Sequence, residues 1–388
     1  EEDSLSRCMT RLLEIDPNNY LGLCSKANKH IKEKRYDEGL QILERAIEIN
    51  PDHFQAYCIR GDYYYFIRVK PIETINNYYK VIEQNIPVIL LVPIVSRLFD
   101  LYMSINDVNN AHNLLNDIDQ EFMDLYELQS RLSYIQAIKG HDQINQSIKQ
   151  LKELMRHSPE KSEAYLYLAN IYTLQKSNKV AKIILKEGVL AAVNNEDLMI
   201  NLIHLETATE NHEKAVVIIN KLFELYPESQ KGHFMRAMLW LEINEIQKCK
   251  DDYNRLKKIN DQSELYEYLG MRILMDQKQY KKAEKMIEKH NELILYDINA
   301  RIYTIICYIK TKKVKKHKEL IRTMPHIKEL KDNRMALEGM LAIYIEMKDE
   351  KKAKEIIEIM KTVNPSEIEV EYIEAMMYRD INKLDVSE

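Results

Sequence analysis

Glycine and proline are scarce in this chain, 8 and 9 among 388 residues. No Gly/Ser-rich or Pro-rich stretch marks a linker, so a length sufficient for two or three ordinary domains is not partitioned by composition. Cysteine occurs five times, at Cys8, Cys24, Cys58, Cys249 and Cys307. These are dispersed, odd in number and form no CxxC pair. Neither a disulfide framework nor a zinc site follows, and a reducing compartment is the default. A surplus of positive charge is also missing: 56 basic against 61 acidic residues leave a net charge of −5, which argues against nucleic acid as a partner. The longest apolar run, residues 86–95, is too short to span a bilayer and holds two prolines, so no membrane insertion is expected. No Gly-rich phosphate loop, HExxH pair or nucleophile elbow occurs. Carboxylates are spread at the spacing of solvated helix faces. The eleven histidines show no ligand spacing, His204 and His212 being eight apart and off one turn. The expectation is therefore no enzyme activity, no metal and no cofactor. The chain begins Glu1-Glu2-Asp3 without an initiator Met and is read as a fragment or processed form.

What is present is 30% charged and 45% hydrophobic residues, rich in Leu, Ile, Lys, Glu and Met, which favours helix. A ladder of mostly small residues runs Gly39, Thr74, Ala111, Ser147, Ala181, Ala215, Cys249, Ala283, His317 and Ala353, with steps of 34 from Ala181 to His317 and of 34 to 37 elsewhere. His317 is out of character. A second ladder, Ile135, Ala169, Ile203, Ala237, Met271 and Ile305, steps by 34, as do Ala27 and Gly61. Prolines form a third: Pro17 and Pro51 are 34 apart, and Pro159 and Pro227 are 68 apart. Small side chains let paired helices approach, and proline ends a helix, so the three ladders describe one repeated helix-turn-helix unit. All nine prolines are expected in turns or first helical turns. Such a pair cannot bury its apolar face alone, so neighbours must stack.

The pattern resembles the tetratricopeptide repeat across essentially the whole chain. The fifth unit matches through Tyr165, Leu168, Ala169, Tyr172, Ala181, Leu185 and Gly188. The tenth matches through Leu337, Leu341, Tyr344, Ala353, Ile357, Met360 and Pro365, and the first through Ala27, Tyr36, Leu43, Ala46 and Pro51. The resemblance implies an all-α, right-handed superhelical solenoid of about ten repeats. Residues 1–19 would form the second helix of a partial repeat, residues 20–367 the tandem array, and residues 368–388 a capping helix and tail. In the third and ninth repeats Phe99 and His317 replace small residues, and irregular helix crossing is expected there.

In such solenoids first helices line the concave face. By alignment that face carries Asn28, Asp62, Asp100, Gln136, Asn170, His204, Met238 and Arg272. Repeats five to eight are the most regularly spaced, so the expected partner-binding groove has Asn170, His204 and Arg272 projecting into it, with Phe234 and Tyr268 beside them. Asn bonds both edges of a partner backbone, Arg forks onto a carboxylate, and aromatics supply rigid area. The mixed character suits an extended peptide or a helix and makes a poor phosphate channel. The convex face and the ends are the competing locations. The carboxylate clamp of some relatives is broken: Asn28 matches, but Cys24 and Ile59 stand at its Lys and second Asn positions. The basic run Lys310–Lys318 is read as a solvated turn, an import signal or acidic-partner patch being its sharper alternative. Most of the 25 tyrosines fill the large core position. The expected function is a protein-protein interaction scaffold or adaptor within a larger assembly, intracellular and cytoplasmic or nuclear. The alternative is a regulatory or substrate-recruiting segment of an enzyme whose catalytic domain lies outside this chain.

Overall fold

The computed structural model describes residues 2–363, except 69, 85, 106, 120–121, 123, 141–142, 193–194, 210, 262, 290–297 and 331–333. The described residues form helices and turns and contain no strand. After α1 (Glu2–Ile15) come ten helix pairs. The first three are α2 (Tyr20–Lys32) with α3 (Tyr36–Ile49), α4 (Phe54–Phe66) with α5 (Pro71–Ile82), and α6 (Val88–Ser104) with α7 (Val108–Asn116). Next are α8 (Tyr126–Lys139) with α9 (Ile144–His157), α10 (Glu163–Leu174) with α11 (Asn178–Ala191), and α12 (Glu196–Ala208) with α13 (His212–Leu225). The last four are α14 (Gln230–Glu242) with α15 (Ile246–Ile259), α16 (Glu264–Asp276) with α17 (Tyr280–Lys289), α18 (Ile298–Lys310) with α19 (Val314–Arg322), and α20 (Arg334–Glu346) with α21 (Glu350–Val363). The proposed capping helix at 368–388 lies outside the described residues.

Two compact units divide the chain: Glu1–Ile243 with Arg255–Ser263, and Asn244–Asn254 with Glu264–Glu388. The division passes through α15. In repeats one to six the first helix packs on its second helix, and first helices of several successive repeats also touch, α8 against α10 most extensively. One apolar core runs from Tyr57 in repeat two to Leu205 in repeat six, and a second joins repeats one and two. In unit 2 a core of residues from Ile302 to Met360 joins repeats nine and ten.

Every member of the small-residue ladder is buried, including His317 at 8% exposure. The reason is contact distance between paired helices. A Cβ added at Gly39 would stand 2.8 Å from Ile31 Cγ1 and 3.2 Å from the Ala27 carbonyl oxygen. Leu43, Leu151 and Leu168 are wholly buried nearby in their repeats, each contributing about 1.5–3 kcal/mol of apolar transfer.

Turns between paired helices explain how so few glycines suffice. The backbone is left-handed at Lys34, Lys176, Asn244, Lys278, Lys312 and Lys348, with φ between 57° and 62°. At Lys34, Lys176, Lys278, Lys312 and Lys348 the following amide reaches back to a helix carbonyl, as from Arg35 to His30 (2.8 Å) and from Gln279 to Leu274 (2.8 Å). This is the helix-closing arrangement that glycine usually serves, and lysine adopts it here at a cost of about 1–2 kcal/mol.

Turns between repeats use another device. The Tyr20 hydroxyl donates to the His53 carbonyl and accepts from Ala56 N–H, both at 2.8 Å. The Tyr126 hydroxyl does the same with the Lys161 carbonyl (3.3 Å) and Ala164 N–H (3.1 Å). Each tyrosine opens one first helix and clasps the start of the next. Side-chain caps at Asn195 and Ser229, 34 residues apart, accept from Leu198 and Gly232 amides at 3.0 and 2.8 Å.

In the third and ninth repeats the second helix is only nine residues long, against 14 in repeats five and six. Pro325 keeps Met324 out of the helical region and closes α19, and the 3₁₀ turn Ile327–Leu330 then fills the core with Ile327 and Leu330. Asn116-Asp117-Ile118-Asp119 offers weak helix formers where α7 stops. Pro93 corrects the expectation that every proline sits in a turn or first helical turn. It is the sixth residue of α6, because Pro87 already starts that helix at Val88. Ile89, whose carbonyl the proline leaves unpaired, is 81% exposed, so water reaches that turn.

Candidate partner-binding face

All eight residues aligned to the concave face are exposed or half-buried. Seven lie in unit 1, and Asp62, Asp100 and Asn170 among them bond side chains of a neighbouring repeat. The Arg97 guanidinium donates through Nη1 to Asp62 Oδ1 (2.7 Å) and to the Tyr78 hydroxyl (3.2 Å), while that hydroxyl donates to the same carboxylate (2.7 Å). One repeat later, Arg131 Nη2 donates to Asp100 Oδ2 (3.0 Å), and the Tyr167 hydroxyl donates to Asp100 Oδ1 (3.1 Å). Burial first, and then the neighbouring carboxylate, holds both phenols well above their ordinary range, so they remain donors. Tyr65 is pushed up to about 12 by burial and by Asp100, with Asp197 on α12 adding a smaller push; Arg97 and Arg131 act against it.

Aromatic rings back the face, buried beneath it except for Phe66. Arg97 lies 4.8 Å from the Phe66 ring centre, and Phe66 is 56% exposed. Arg131, 5% exposed, lies between the rings of Phe99 (5.9 Å) and Tyr167 (5.8 Å). Tyr134 stacks on Tyr167 at 4.7 Å. Phe99 meets Tyr167 edge-on at 6.2 Å and is wholly buried. The side chains of Asp62 and Asp100 keep 41% and 45% exposure, leaving lone pairs free for an incoming donor. Arg97 and Arg131 were not among the expected site residues, although they stand 34 apart.

Asn170, on α10, is half-buried and hydrogen-bonds Tyr134, tempering the rise that burial gives that phenol. His204, on α12, is solvent-exposed, yet the walls around it push its imidazole below the ordinary range by desolvation. It is therefore neutral near pH 7 and offers one donor and one acceptor. Phe234, on α14, is half-buried. The other two expected residues belong to unit 2. Tyr268 is 9% exposed, so its area goes into packing and not into a groove surface. Arg272 is half-buried, its guanidinium 3.7 Å from the Tyr303 ring centre. Asn170, His204 and Phe234 thus share a unit, while Tyr268 and Arg272 sit in the other.

Unit 1 curls back on itself. Lys34 Nζ reaches the Ile259 carbonyl (3.4 Å), and Asn260 Nδ2 reaches the Ile67 carbonyl (3.4 Å), joining the turns of repeats one and two to the end of α15. Burial pushes the thiols of Cys24 and Cys58 up to about 11 and those of Cys249 and Cys307 up to about 12, which keeps them protonated. Among the described residues no three His, Cys, Asp or Glu side chains are grouped to hold a metal ion. No described helix is long and apolar enough to cross a membrane.

No protein-family model matches the chain. Human protein O-mannosyl-transferase TMTC3 is 21% identical over 284 residues, which covers 70% of this chain and 30% of that protein. The chain thus spans less than a third of that relative's length. Among solved structures, a tetratricopeptide repeat protein from Parabacteroides merdae is 16% identical over 65% of this chain and 98% of its own, with a TM-score of 0.47. A chain of the APC/C hetero-tetramer Cut9-Hcn1 is 11% identical over 98% of this chain and 73% of its own, also with a TM-score of 0.47. The fold rests on this chain's own helix pairs, buried small-residue ladder and 34-residue step, and in these the protein resembles the tetratricopeptide-repeat superfamily.

Proposed function

We propose that this protein is a non-enzymatic interaction scaffold that holds a partner's extended segment or helix against the inner face of unit 1. The observation that supports this reading is the fixed array of Asp62, Arg97, Asp100, Arg131 and Tyr167, whose carboxylates stay half-exposed beside the open ring of Phe66. Preorganised carboxylates and rigid aromatics need little ordering when a partner arrives, which is where binding faces gain affinity. Spare acceptors on two aspartates favour a segment that brings donors: backbone N–H groups, lysine or arginine.

The test is the double variant Phe66→Ala with Asn170→Ala, checked for an unchanged helical spectrum and melting curve. Affinity capture of partners should fall by at least about tenfold, the scale of losing a hot-spot contact. A convex-face variant, Lys186→Ala with Lys221→Ala, should keep them. The reverse pattern would move the binding face outside. A second reading, a substrate- or partner-recruiting segment of an enzyme, draws support from the match to an O-mannosyl-transferase. A catalytic domain in the full-length gene product would favour it.

A further inference from the structure

Three turns in unit 2 join first helices to second helices, at Lys278, Lys312 and Lys348, and lysines crowd the first two. Lys278, Lys281 and Lys282 flank one turn, and the run from Lys310 to Lys318 spans the next. Part of that run is neutralised within the fold: Lys310 pairs with Glu346 (2.6 Å), Lys313 with Glu284 (3.1 Å), and Lys316 with Glu288. Among the described residues no carboxylate pairs with Lys278, Lys281, Lys282 or Lys312, and all four are exposed. These four, with Lys310 and Tyr280, line an open cleft of about 580 Å³ between the two turns.

Four like charges lining one cleft repel one another, and an anion entering it relieves them. Helix dipoles do not supply this field. Each turn places the end of one helix beside the start of the next, so the two dipoles oppose, and the field belongs to the lysines. The left-handed backbone does not single out the cleft, since Lys34 and Lys176 share it in unit 1; the clustering does. The whole chain carries a net charge of −5, so a long polyanion meets repulsion beyond the cleft, while a short anionic segment meets only the lysines. The two turns contain no arginine to fork onto phosphates. Lysine ammoniums on flexible stems suit single carboxylates, and their aliphatic stems suit the methylenes of glutamate.

We propose that this cleft is a docking site for an aspartate- and glutamate-rich segment of a partner protein. It is separate from the inner face of unit 1 and uses none of its residues.

The test uses the full chain and a fluorescein-labelled polyglutamate peptide, read by fluorescence anisotropy. The combined variant Lys278→Ala, Lys281→Ala, Lys282→Ala and Lys312→Ala should bind it at least about tenfold more weakly, given the usual strength of exposed pairs summed over four. A control with the same charge removed from unit 1, Lys149→Ala, Lys152→Ala, Lys186→Ala and Lys221→Ala, should stay within about twofold, as none of these lysines lines the cleft. Raising salt from about 50 to about 300 mM should weaken wild-type binding steeply. The Phe66→Ala, Asn170→Ala variant should bind the peptide as wild type does, so this proposal and the inner-face reading fail separately. Equal losses in both lysine variants, or no saturable peptide binding, would overturn the proposal. So would duplex DNA or phosphatidylserine vesicles binding through the same four lysines as tightly as the peptide.

Discussion

Substituting Gly61 by alanine tests the close approach of paired helices at one atom. An added Cβ would lie 2.6 and 2.7 Å from Cε1 and Cδ1 of Tyr78, a ring with no exposed surface. The ring cannot swing aside freely, because its hydroxyl is tied to Asp62 and Arg97. Alanine in the middle of α4 would gain about 0.5–1 kcal/mol of helix propensity over glycine. Against this stand about 1–3 kcal/mol of overpacking and about 1.5–3 kcal/mol if the bond to the Asp62 carboxylate is lost. With that bond lost, the expected net is a loss of about 1.5–5.5 kcal/mol. Gly140 is the matched control: its φ of −129° is open to any residue, and its nearest new contact is 3.5 Å away. Gly140→Ala should gain about 0.4–1 kcal/mol through the unfolded state. A repeat array need not unfold in one step, so urea titration should be joined to amide hydrogen exchange. Exchange through α4 and α5 should quicken by about thirtyfold or more in Gly61→Ala, the equivalent of 2 kcal/mol. If Gly61→Ala proves as stable as wild type, the close approach at Tyr78 is wrong.

Three other substitutions probe separate devices. Lys176→Gly relieves a left-handed φ of 59° and should raise stability by about 0.5–1 kcal/mol; a lower urea midpoint would contradict the strain. Glu206 is 2% exposed and accepts from Lys182 Nζ at 2.6 Å. Glu206→Ala should cost about 2–4 kcal/mol by leaving that ammonium with only the Thr209 hydroxyl (2.6 Å) as acceptor, and Lys182→Met in the same chain should restore part of it. Tyr126→Phe removes both bonds of one clasp and should cost about 1–2 kcal/mol, read as faster exchange at the start of α10. Unchanged exchange there would deny the clasp its role.

The repeat was legible because its cause is local. A small side chain is needed wherever paired helices touch, so Ala181, Ala215 and Ala283 announce the fold at a fixed step. Other features rest on residues whose type says little. Lysine has no preference for a left-handed turn, so Lys34 and Lys278 could not be told from any surface lysine. Tyr20 and Tyr126 look like core aromatics until their hydroxyls are placed on the following repeat. Phe99 and His317 stand in the two repeats whose second helices are nine residues long. Arg97 and Arg131 are 34 apart, but their aspartate partners lie 35 and 31 residues away, so no second ladder drew attention to them. The unit boundary passes through the middle of α15 with no change in composition, and Tyr268 and Arg272 fell beyond it.

Return contacts between the ends of unit 1 carry a mechanical consequence. Two hydrogen bonds of 3.4 Å, spanning 225 and 193 residues of chain, join the repeat-one and repeat-two turns to residues 259–260. Each is worth about 0.5–1.5 kcal/mol, far less than the burial of any one helix pair. Under tension these bonds would part first, and the coil would lengthen by small rotations between neighbouring repeats while every helix stays folded. Unit 1 is in this sense a spring with a weak catch, stiff against small loads and compliant once the catch opens.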